Sequence, residues 1–264
     1  MIGAIVGDIA GSRFEWRNHR YKEFELLTKD GGCRPTDDSV MTLAVAAALL
    51  DADGNAAALS DCAVRRMQEL GQTYPHAGYG GSFRRWLADS DPQPYGSWGN
   101  GAAMRVSPCG WAAKTLDEAI LYAVTVTAVT HNHPEALKAA AAVSSAIWLA
   151  RQGADRNEIR AHIASRYYVV DFTPDDIRGD YTFDVSCQGS VPQAFSALFA
   201  AEDFEDAVRN AVSIGGDSDT IAAITGSMAE PLFGVPDNIR ADAESFLDET
   251  LLTTLRAFES RFGA

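Results

Sequence analysis

The chain has 264 residues, with 22 basic and 36 acidic side chains and a formal net charge of −14. A chain of this length can bury a hydrophobic core large enough to be stable without disulfide bonds or structural metals. The negative charge disfavours binding to nucleic acids or to anionic membranes.

The chain carries no sign of export or membrane insertion. It lacks a run of about 18 apolar residues, the length that a spanning helix needs. The apolar N-terminal stretch has no basic region and is interrupted by Asp8, unlike a signal peptide. The four cysteines are scattered, with no metal-ligand spacing, as is typical of reduced thiols. We therefore expect a cytoplasmic protein.

Apolar residues recur at helical spacing along most of the chain. Strand-like runs are few; the best are YYVVD from Tyr167 and YTFDV from Tyr181. No linker or repeat divides the sequence, so we predict an all-α fold with a single domain over residues 1–264. The predicted helices are Ser39–Leu50, Ala56–Leu70, Leu116–Val129, Pro134–Arg151, Val191–Ala201, Phe204–Val212, Asp219–Met228 and Ala241–Phe262.

A stripe of glycines and three aperiodic segments complete the chain. Gly3, Gly7 and Gly11 share one helical face, which favours close packing of another helix, because each helical Gly otherwise costs about 1 kcal/mol relative to Ala. The aperiodic segments are rich in Gly, Pro and aromatic residues, and loops of such length tend to be functional. They are Arg13–Pro35, Thr73–Pro108 and Val170–Gly189.

Two aspartate clusters begin predicted helices. PTDDS contributes Thr36, Asp37 and Asp38, and GGDSDT contributes Asp217, Asp219 and Thr220. One acidic residue per helix is explained by capping of free N–H groups. The second carboxylate in each turn indicates a cation, since Mg²⁺ prefers such oxygen ligands. Spacing alone leaves capping and a metal site equally favoured.

Three further segments contain candidate binding residues. GSWGNGAAMRVSP combines small residues with Arg105, which suits a phosphate or pyrophosphate, although a tight loop with a surface arginine explains it as well. In THNHPEA, His131 and His133 are more simply interpreted as helix caps than as ligand contacts. Glu15 follows the Gly-rich helix, and without further information it is most simply interpreted as a solvated charge.

Taken in order, the motifs GDIAGSRFE, PTDDS, GSWGNGAAMR, THNHPEA, GSVPQA and GGDSDT resemble the ADP-ribosylglycohydrolase family, relatives of the dinitrogenase reductase-activating glycohydrolase. The resemblance extends from Gly7 to Gly234. It implies a compact all-α domain with a cleft that holds two Mg²⁺ or Mn²⁺ ions. The implied activity is hydrolysis of the glycosidic bond between ADP-ribose and an acceptor, which reverses ADP-ribosylation.

The resemblance also implies roles for individual residues. Glu15, Asp38 and Asp219 are the expected catalytic residues, with Glu15 on a loop that moves with substrate. The expected metal ligands are Thr36, Asp37, Asp38, Asp217, Asp219 and Thr220. The expected substrate contacts are Gly99, Asn100, Gly101, Met104, Arg105 and His131 near the diphosphate and distal ribose, and Gly189, Ser190 and Val191 near the adenosine.

The motifs do not identify the acceptor, which is the group to which ADP-ribose is linked. An acid that nitrogenase-regulating relatives carry near the third motif has no counterpart here, where Ser97 and Trp98 stand and the nearest acid is Asp91. The GSWGNG form instead resembles relatives that cleave O-linked ADP-ribose. Candidate substrates are ADP-ribosylated arginine or serine side chains and small ADP-ribose conjugates. The alternatives are a protein that blocks an ADP-ribosylating toxin by occlusion and a metal-dependent nucleotide phosphoester hydrolase.

Overall fold

The structure is a computed structural model that describes residues 1–263, and in this part of the chain it contains helices and no strand. The all-α prediction is therefore confirmed. In chain order the helices are α1 Ile2–Ser12, α2 Asp37–Ala52, α3 Leu59–Thr73, α4 Gly81–Ala88, α5 Ser107–Ala112, α6 Leu116–Ala128, α7 Pro134–Arg151, α8 Arg156–Arg166, α9 Pro174–Ile177, α10 Cys187–Ala200, α11 Phe204–Ile214, α12 Ser218–Phe233, α13 Asp237–Glu244 and α14 Glu249–Phe262.

Helices α1 and α12 form the centre of the molecule. Every residue of α1 is buried, as expected for a helix that is apolar on all sides. The predicted glycine stripe packs against α12: a Cβ added to Gly7 would overlap the carbonyl oxygen of Ala222, and one added to Gly3 would overlap that of Gly226. Small residues on both helices thus allow the two backbones to touch.

The remaining helices surround this pair. Helices α10 and α11 pack against α12, α2 packs against α1, α3 and α14, and α6 packs against α7. Helix α2 is buried along almost all of its length, from Asp38 to Leu49. Its N-terminus and that of α12 lie side by side, so the two aspartate clusters of the sequence meet.

Two differences from the predicted helices have clear local causes. The helix predicted over Ala241–Phe262 is two helices, because the Asp248 carboxylate accepts a hydrogen bond from Leu251 N (3.0 Å) and begins α14 anew. Helix α8 was not predicted, since its apolar stripe contains little more than Ile159 and Ile163. A capping box formed by Asp155 and Glu158 starts it.

The three aperiodic segments are loops, and the second and third contain short helices. The second contains α4, a single 3₁₀ turn at Asn100–Ala102 and the start of α5, and the third contains α9. The two strand-like runs form no strand; the second only leads into an isolated antiparallel pairing between Gly99 and Ser186. Across residues 1–263, no helix combines the length and apolar character required to cross a bilayer.

Candidate metal centre and binding cavity

The two aspartate turns are joined directly. Thr220, in the first turn of α12, donates its hydroxyl hydrogen bond to Asp38 Oδ2 in the first turn of α2 (3.2 Å). Thr36 is the N-cap of α2, because its Oγ1 accepts from Asp38 N (3.3 Å). The side chains of Thr36, Asp38, Asp217, Asp219 and Thr220 are each at most 5% exposed. Residues that are about 180 positions apart in sequence therefore form one buried polar cluster.

Asp8 anchors this cluster from α1. Its Oδ2 accepts hydrogen bonds from the backbone N–H groups of Thr36 (2.8 Å) and Ser39 (3.0 Å) and from the Ser39 hydroxyl, and its Oδ1 accepts from the Thr36 hydroxyl (2.7 Å). A carboxylate has about four lone-pair sites, so Asp8 is largely committed to holding the N-terminus of α2. Sequence reasoning missed this role; the signal was a charged residue in the middle of an otherwise apolar helix.

Two groups of carboxylates have the spacing of metal ligands. Oxygen atoms of Asp8, Asp38 and Asp219 lie within 4.8 Å of one another, and so do those of Glu15, Asp217 and Asp219. Asp219 belongs to both groups. The Oδ1 atom of Asp38 is buried and has no hydrogen-bond partner among residues 1–263. An orphaned carboxylate oxygen beside other carboxylates fits a hard divalent cation, so the residues present match the predicted metal.

The electrostatics of the cluster lead to the same conclusion. Burial raises the pKa of Asp38 and Asp219 well above their ordinary range, and neighbouring carboxylates raise it further. Burial, and to a smaller extent the negative charge of Asp8, raises the pKa of Asp37 to about 7. Burial and then Asp217 also raise the pKa of Glu15. Without a cation, ionisation of the clustered carboxylates has a high cost in free energy, and a bound divalent ion would lower that cost.

A cavity of about 440 Å³ opens above the carboxylates. Its walls come from all three aperiodic segments and from the starts of α2 and α12. The lining residues are Glu15, Trp16, Asp37, Asp38, Gly78, Gly80, Gly81, Ser82, Phe83, Tyr95, Ser97, Gly99, Asn100, Gly101, Met104, Arg105, His131, Phe183, Val185, Asp217, Asp219 and Thr220. The volume is within the range typical of small-molecule sites.

Asn100 connects the loop wall to the carboxylates. Its Nδ2 donates to Asp217 Oδ2 (2.6 Å) and to Ser190 Oγ (2.9 Å). The backbone N–H of Asn100 is held by the Val185 carbonyl (2.7 Å). Asn100 therefore fixes the loop, the orientation of Asp217 and the start of α10 relative to one another.

Arg105 and His131 form the cationic and imidazole part of the wall. Arg105 is only 1% exposed, and its Nε has no hydrogen-bond partner among the described residues. Burial lowers the pKa of Arg105 to about 10, so the side chain remains a cation at neutral pH. His131 is 6% exposed, and burial and then Arg105 lower its pKa well below the ordinary value. A buried guanidinium with a spare donor suits an anionic ligand group.

Not all of the predicted residues line the cavity. Gly189, Ser190 and Val191 lie behind the wall: Ser190 and Val191 are fully buried, and Gly189 is covered by Asp184. Thr36 lies beneath the carboxylates. His133 caps α7, accepting from Glu135 N (3.2 Å), whereas His131 faces the cavity. The assignment of the first three as substrate contacts stays a prediction.

Two wall features were absent from the sequence-based interpretation. One side of the cavity is lined by residues ahead of and within the first turn of α4, namely Gly78, Gly80, Gly81, Ser82 and Phe83. At the mouth, Trp16 and Phe183 stack with ring centroids 4.8 Å apart. Trp16 is 77% exposed and Phe183 is 41% exposed. Such pairings join distant loops and leave no local pattern in the sequence.

Comparisons with known proteins agree with this fold. The model of the ADP-ribosylglycohydrolase family matches residues 1–235. The chain therefore belongs to the ADP-ribosylglycohydrolase family. A solved structure described as an ADP-ribosylglycohydrolase-related protein complex superposes with a TM-score of 0.66 at 23% identity, covering 97% of this chain and 95% of that one.

Two relatives match part of the chain. An ADP-ribosylarginine hydrolase, Tri1, of Pseudomonas putida (strain GB-1) is 28% identical over 162 residues, which are 57% of this chain and 42% of that protein. An uncharacterized protein of Archaeoglobus fulgidus is 33% identical over 144 residues, 48% of this chain and 47% of its own length. The matched region thus spans less than half the length of each relative.

Proposed function

We propose that this chain is a metal-dependent ADP-ribosyl hydrolase, which cleaves the glycosidic bond between ADP-ribose and an acceptor. The observation that carries the proposal is the meeting of two aspartate turns at the floor of one cavity, where Asp219 belongs to both carboxylate groups. Membership of the ADP-ribosylglycohydrolase family supports the reaction class.

The metal ligands in this proposal are the six predicted residues, Thr36, Asp37, Asp38, Asp217, Asp219 and Thr220. Two Mg²⁺ or Mn²⁺ ions, when bound, fix sugar hydroxyls and lower the pKa of a coordinated water. Asn100 orients Asp217 by its 2.6 Å hydrogen bond. Asp8 supports α2 and is not among the proposed ligands, because most of its lone-pair sites already accept hydrogen bonds.

The rest of the wall binds the substrate and moves the proton. Glycosidic cleavage passes through an oxocarbenium-like transition state, in which the leaving group gains a proton or a water loses one. Glu15 is half-buried beside Asp217 and Asp219 and serves as that general acid or base. The Gly99–Arg105 segment and His131 bind the diphosphate and distal ribose, where Arg105 contributes the cation.

An arginine side chain is the acceptor that the mouth of the cavity suits best. The carboxylate of Glu15 and the stacked rings of Trp16 and Phe183 are neighbours there. A carboxylate beside an exposed aromatic face binds a planar guanidinium, whereas a serine oxygen offers neither charge nor plane. The relative from P. putida is an ADP-ribosylarginine hydrolase, which favours the same acceptor.

The test is release of free ADP-ribose from arginine-linked, serine-linked and small-molecule conjugates, with Mg²⁺ or Mn²⁺ and with chelator. We expect release that requires metal and is lost in Asp219→Ala, with Asp91→Asn as the matched surface control. Near wild-type turnover in both Asp38→Ala and Asp219→Ala, with the fold intact, would remove the metal from the proposal.

Other outcomes separate the competing functions. Binding of ADP-ribose without release from any conjugate would favour a binding or occluding protein, and protection against an ADP-ribosylating toxin that survives Asp219→Ala would favour occlusion. Metal-dependent phosphate release from other nucleotides, with no release of ADP-ribose, would favour a phosphoester hydrolase.

A further inference from the structure

Thr130 lies directly behind the cavity wall and contacts both Arg105 and His131. It follows α6, is fully buried and is not itself a lining residue. Its Oγ1 is 2.6 Å from Arg105 NH2 and 2.7 Å from His131 Nδ1. One hydroxyl therefore links the guanidinium to the imidazole.

The chemistry of the three groups fixes the direction of these hydrogen bonds. A guanidinium only donates, so Thr130 Oγ1 accepts from Arg105. The hydroxyl proton then has two acceptors, His131 Nδ1 at 2.7 Å and Thr127 O at 3.4 Å. Thr127 O already accepts from two backbone N–H groups, those of Thr130 (3.1 Å) and His131 (2.9 Å). The contact with His131 Nδ1 is the shorter of the two, and Nδ1, unlike Thr127 O, accepts no backbone N–H, so both features favour donation to Nδ1.

Arg105 favours the same arrangement at His131. Its NH2 group is 3.5 Å from Nδ1, so a proton on Nδ1 would face a cation, whereas a lone pair there is attracted to it. The pKa of His131, lowered first by burial and then by Arg105, keeps the imidazole neutral. A neutral imidazole with an accepting Nδ1 carries its proton on Nε2.

We propose that Thr130 is a positioning residue, which holds His131 as the Nε2–H tautomer so that it donates into the cavity. The inference rests on the proposed function, since the expected acceptor is a phosphate or ribose oxygen of ADP-ribose. Nε2 lies beside two glycines that line the cavity: a Cβ added at Gly101 would lie 3.3 Å from it, and one added at Gly99 would lie 3.7 Å from it. No group in residues 1–263 forms a hydrogen bond with Nε2.

Thr130→Val tests this role, because valine keeps the shape and removes the hydroxyl. Thr130→Ser is the matched control that retains it. In protein labelled with ¹⁵N-histidine and free of ligand, the Nδ1 and Nε2 chemical shifts report the tautomer. We expect an Nε2-protonated His131 in the wild type and in Thr130→Ser, and a mixture of tautomers in Thr130→Val.

Binding of ADP-ribose, measured by calorimetry with Mg²⁺ present, gives the second readout. Affinity falls in proportion to the population of the Nε2-protonated tautomer, so an equal mixture of tautomers weakens binding by about twofold. We expect a loss of about twofold or more in Thr130→Val and no measurable change in Thr130→Ser. The melting temperature of Thr130→Val should also fall, because the buried Arg105 loses a hydrogen-bond acceptor.

The two proposals fail in different ways. An Nδ1-protonated His131 in the wild type, or a Thr130→Val protein with unchanged tautomer and affinity, would overturn the role of Thr130. A wild type that neither binds nor releases ADP-ribose would overturn the proposed function, while the NMR spectrum still decides the tautomer. If Thr130→Val does not fold, the spectra of the wild type and Thr130→Ser decide the question.

Discussion

Replacement of Asp38 by asparagine is expected to stabilise the metal-free protein and to abolish its stabilisation by metal. Carboxylate oxygens of Asp8, Asp38 and Asp219 lie within 4.8 Å of one another. At an effective dielectric constant of about 20, two unit charges at that distance repel by about 3.5 kcal/mol. Protonation relieves part of this repulsion, because burial and the neighbouring carboxylates raise the pKa of Asp38.

The asparagine also satisfies an atom that the wild type leaves unpaired. Asp38 Oδ1 has no hydrogen-bond partner among the described residues, whereas an amide N–H at that position can donate to the Asp219 carboxylate. Oδ2 can still accept from Thr220. We expect the free energy of unfolding in chelator to rise by about 1–2 kcal/mol, a part of the full Coulomb value.

The assay is denaturant unfolding in chelator and at several concentrations of Mg²⁺ and Mn²⁺. A ligand at 100 times its Kd stabilises the native state by about 2.7 kcal/mol, and we expect such a gain for the wild type and none for Asp38→Asn. Asp91→Asn, an exposed surface change, should behave as the wild type. A less stable Asp38→Asn protein in chelator that retains its gain with metal would refute the reasoning.

Three further predictions concern the packing, the anchor and the mouth of the site. Gly7→Ala should destabilise the fold by about 3 kcal/mol or more in denaturant unfolding, because the new methyl overlaps the α12 backbone. The control Gly179→Ala adds a methyl that meets no atom within 4 Å, so its free energy of unfolding should change by less than about 0.5 kcal/mol. Asp8→Ala leaves the backbone N–H groups of Thr36 and Ser39 and the Ser39 hydroxyl without their acceptor and should lower the free energy of unfolding by about 3–5 kcal/mol; an unchanged denaturation midpoint would contradict the anchoring role. Trp16→Ala should lower kcat/KM for an arginine-linked conjugate by about threefold to 30-fold and leave the Kd of free ADP-ribose nearly unchanged. An equal loss of kcat/KM on serine-linked conjugates would argue against guanidinium recognition.

Features that depend on residues close together in the sequence were predicted well, and features that depend on distant residues were not. The helices α6 and α7 were predicted almost to the residue, because their apolar periodicity and caps are local. The break between α13 and α14 was missed, since one aspartate cap interrupts a continuous apolar pattern. The proposed metal ligands were predicted from two separate turns, and neither turn by itself distinguishes capping from coordination.

The sequence by itself determined the helical class, the glycine stripe and the types of residue in the site, because these depend on spacing along one chain segment. Only the tertiary structure decided which of them meet. Close packing of α1 against α12 places Asp8 beneath α2 and Asp219 beside Asp38, and buries them together. Because they are buried close together, these acidic residues form a cluster that favours a bound cation. No single segment of the sequence shows that they meet.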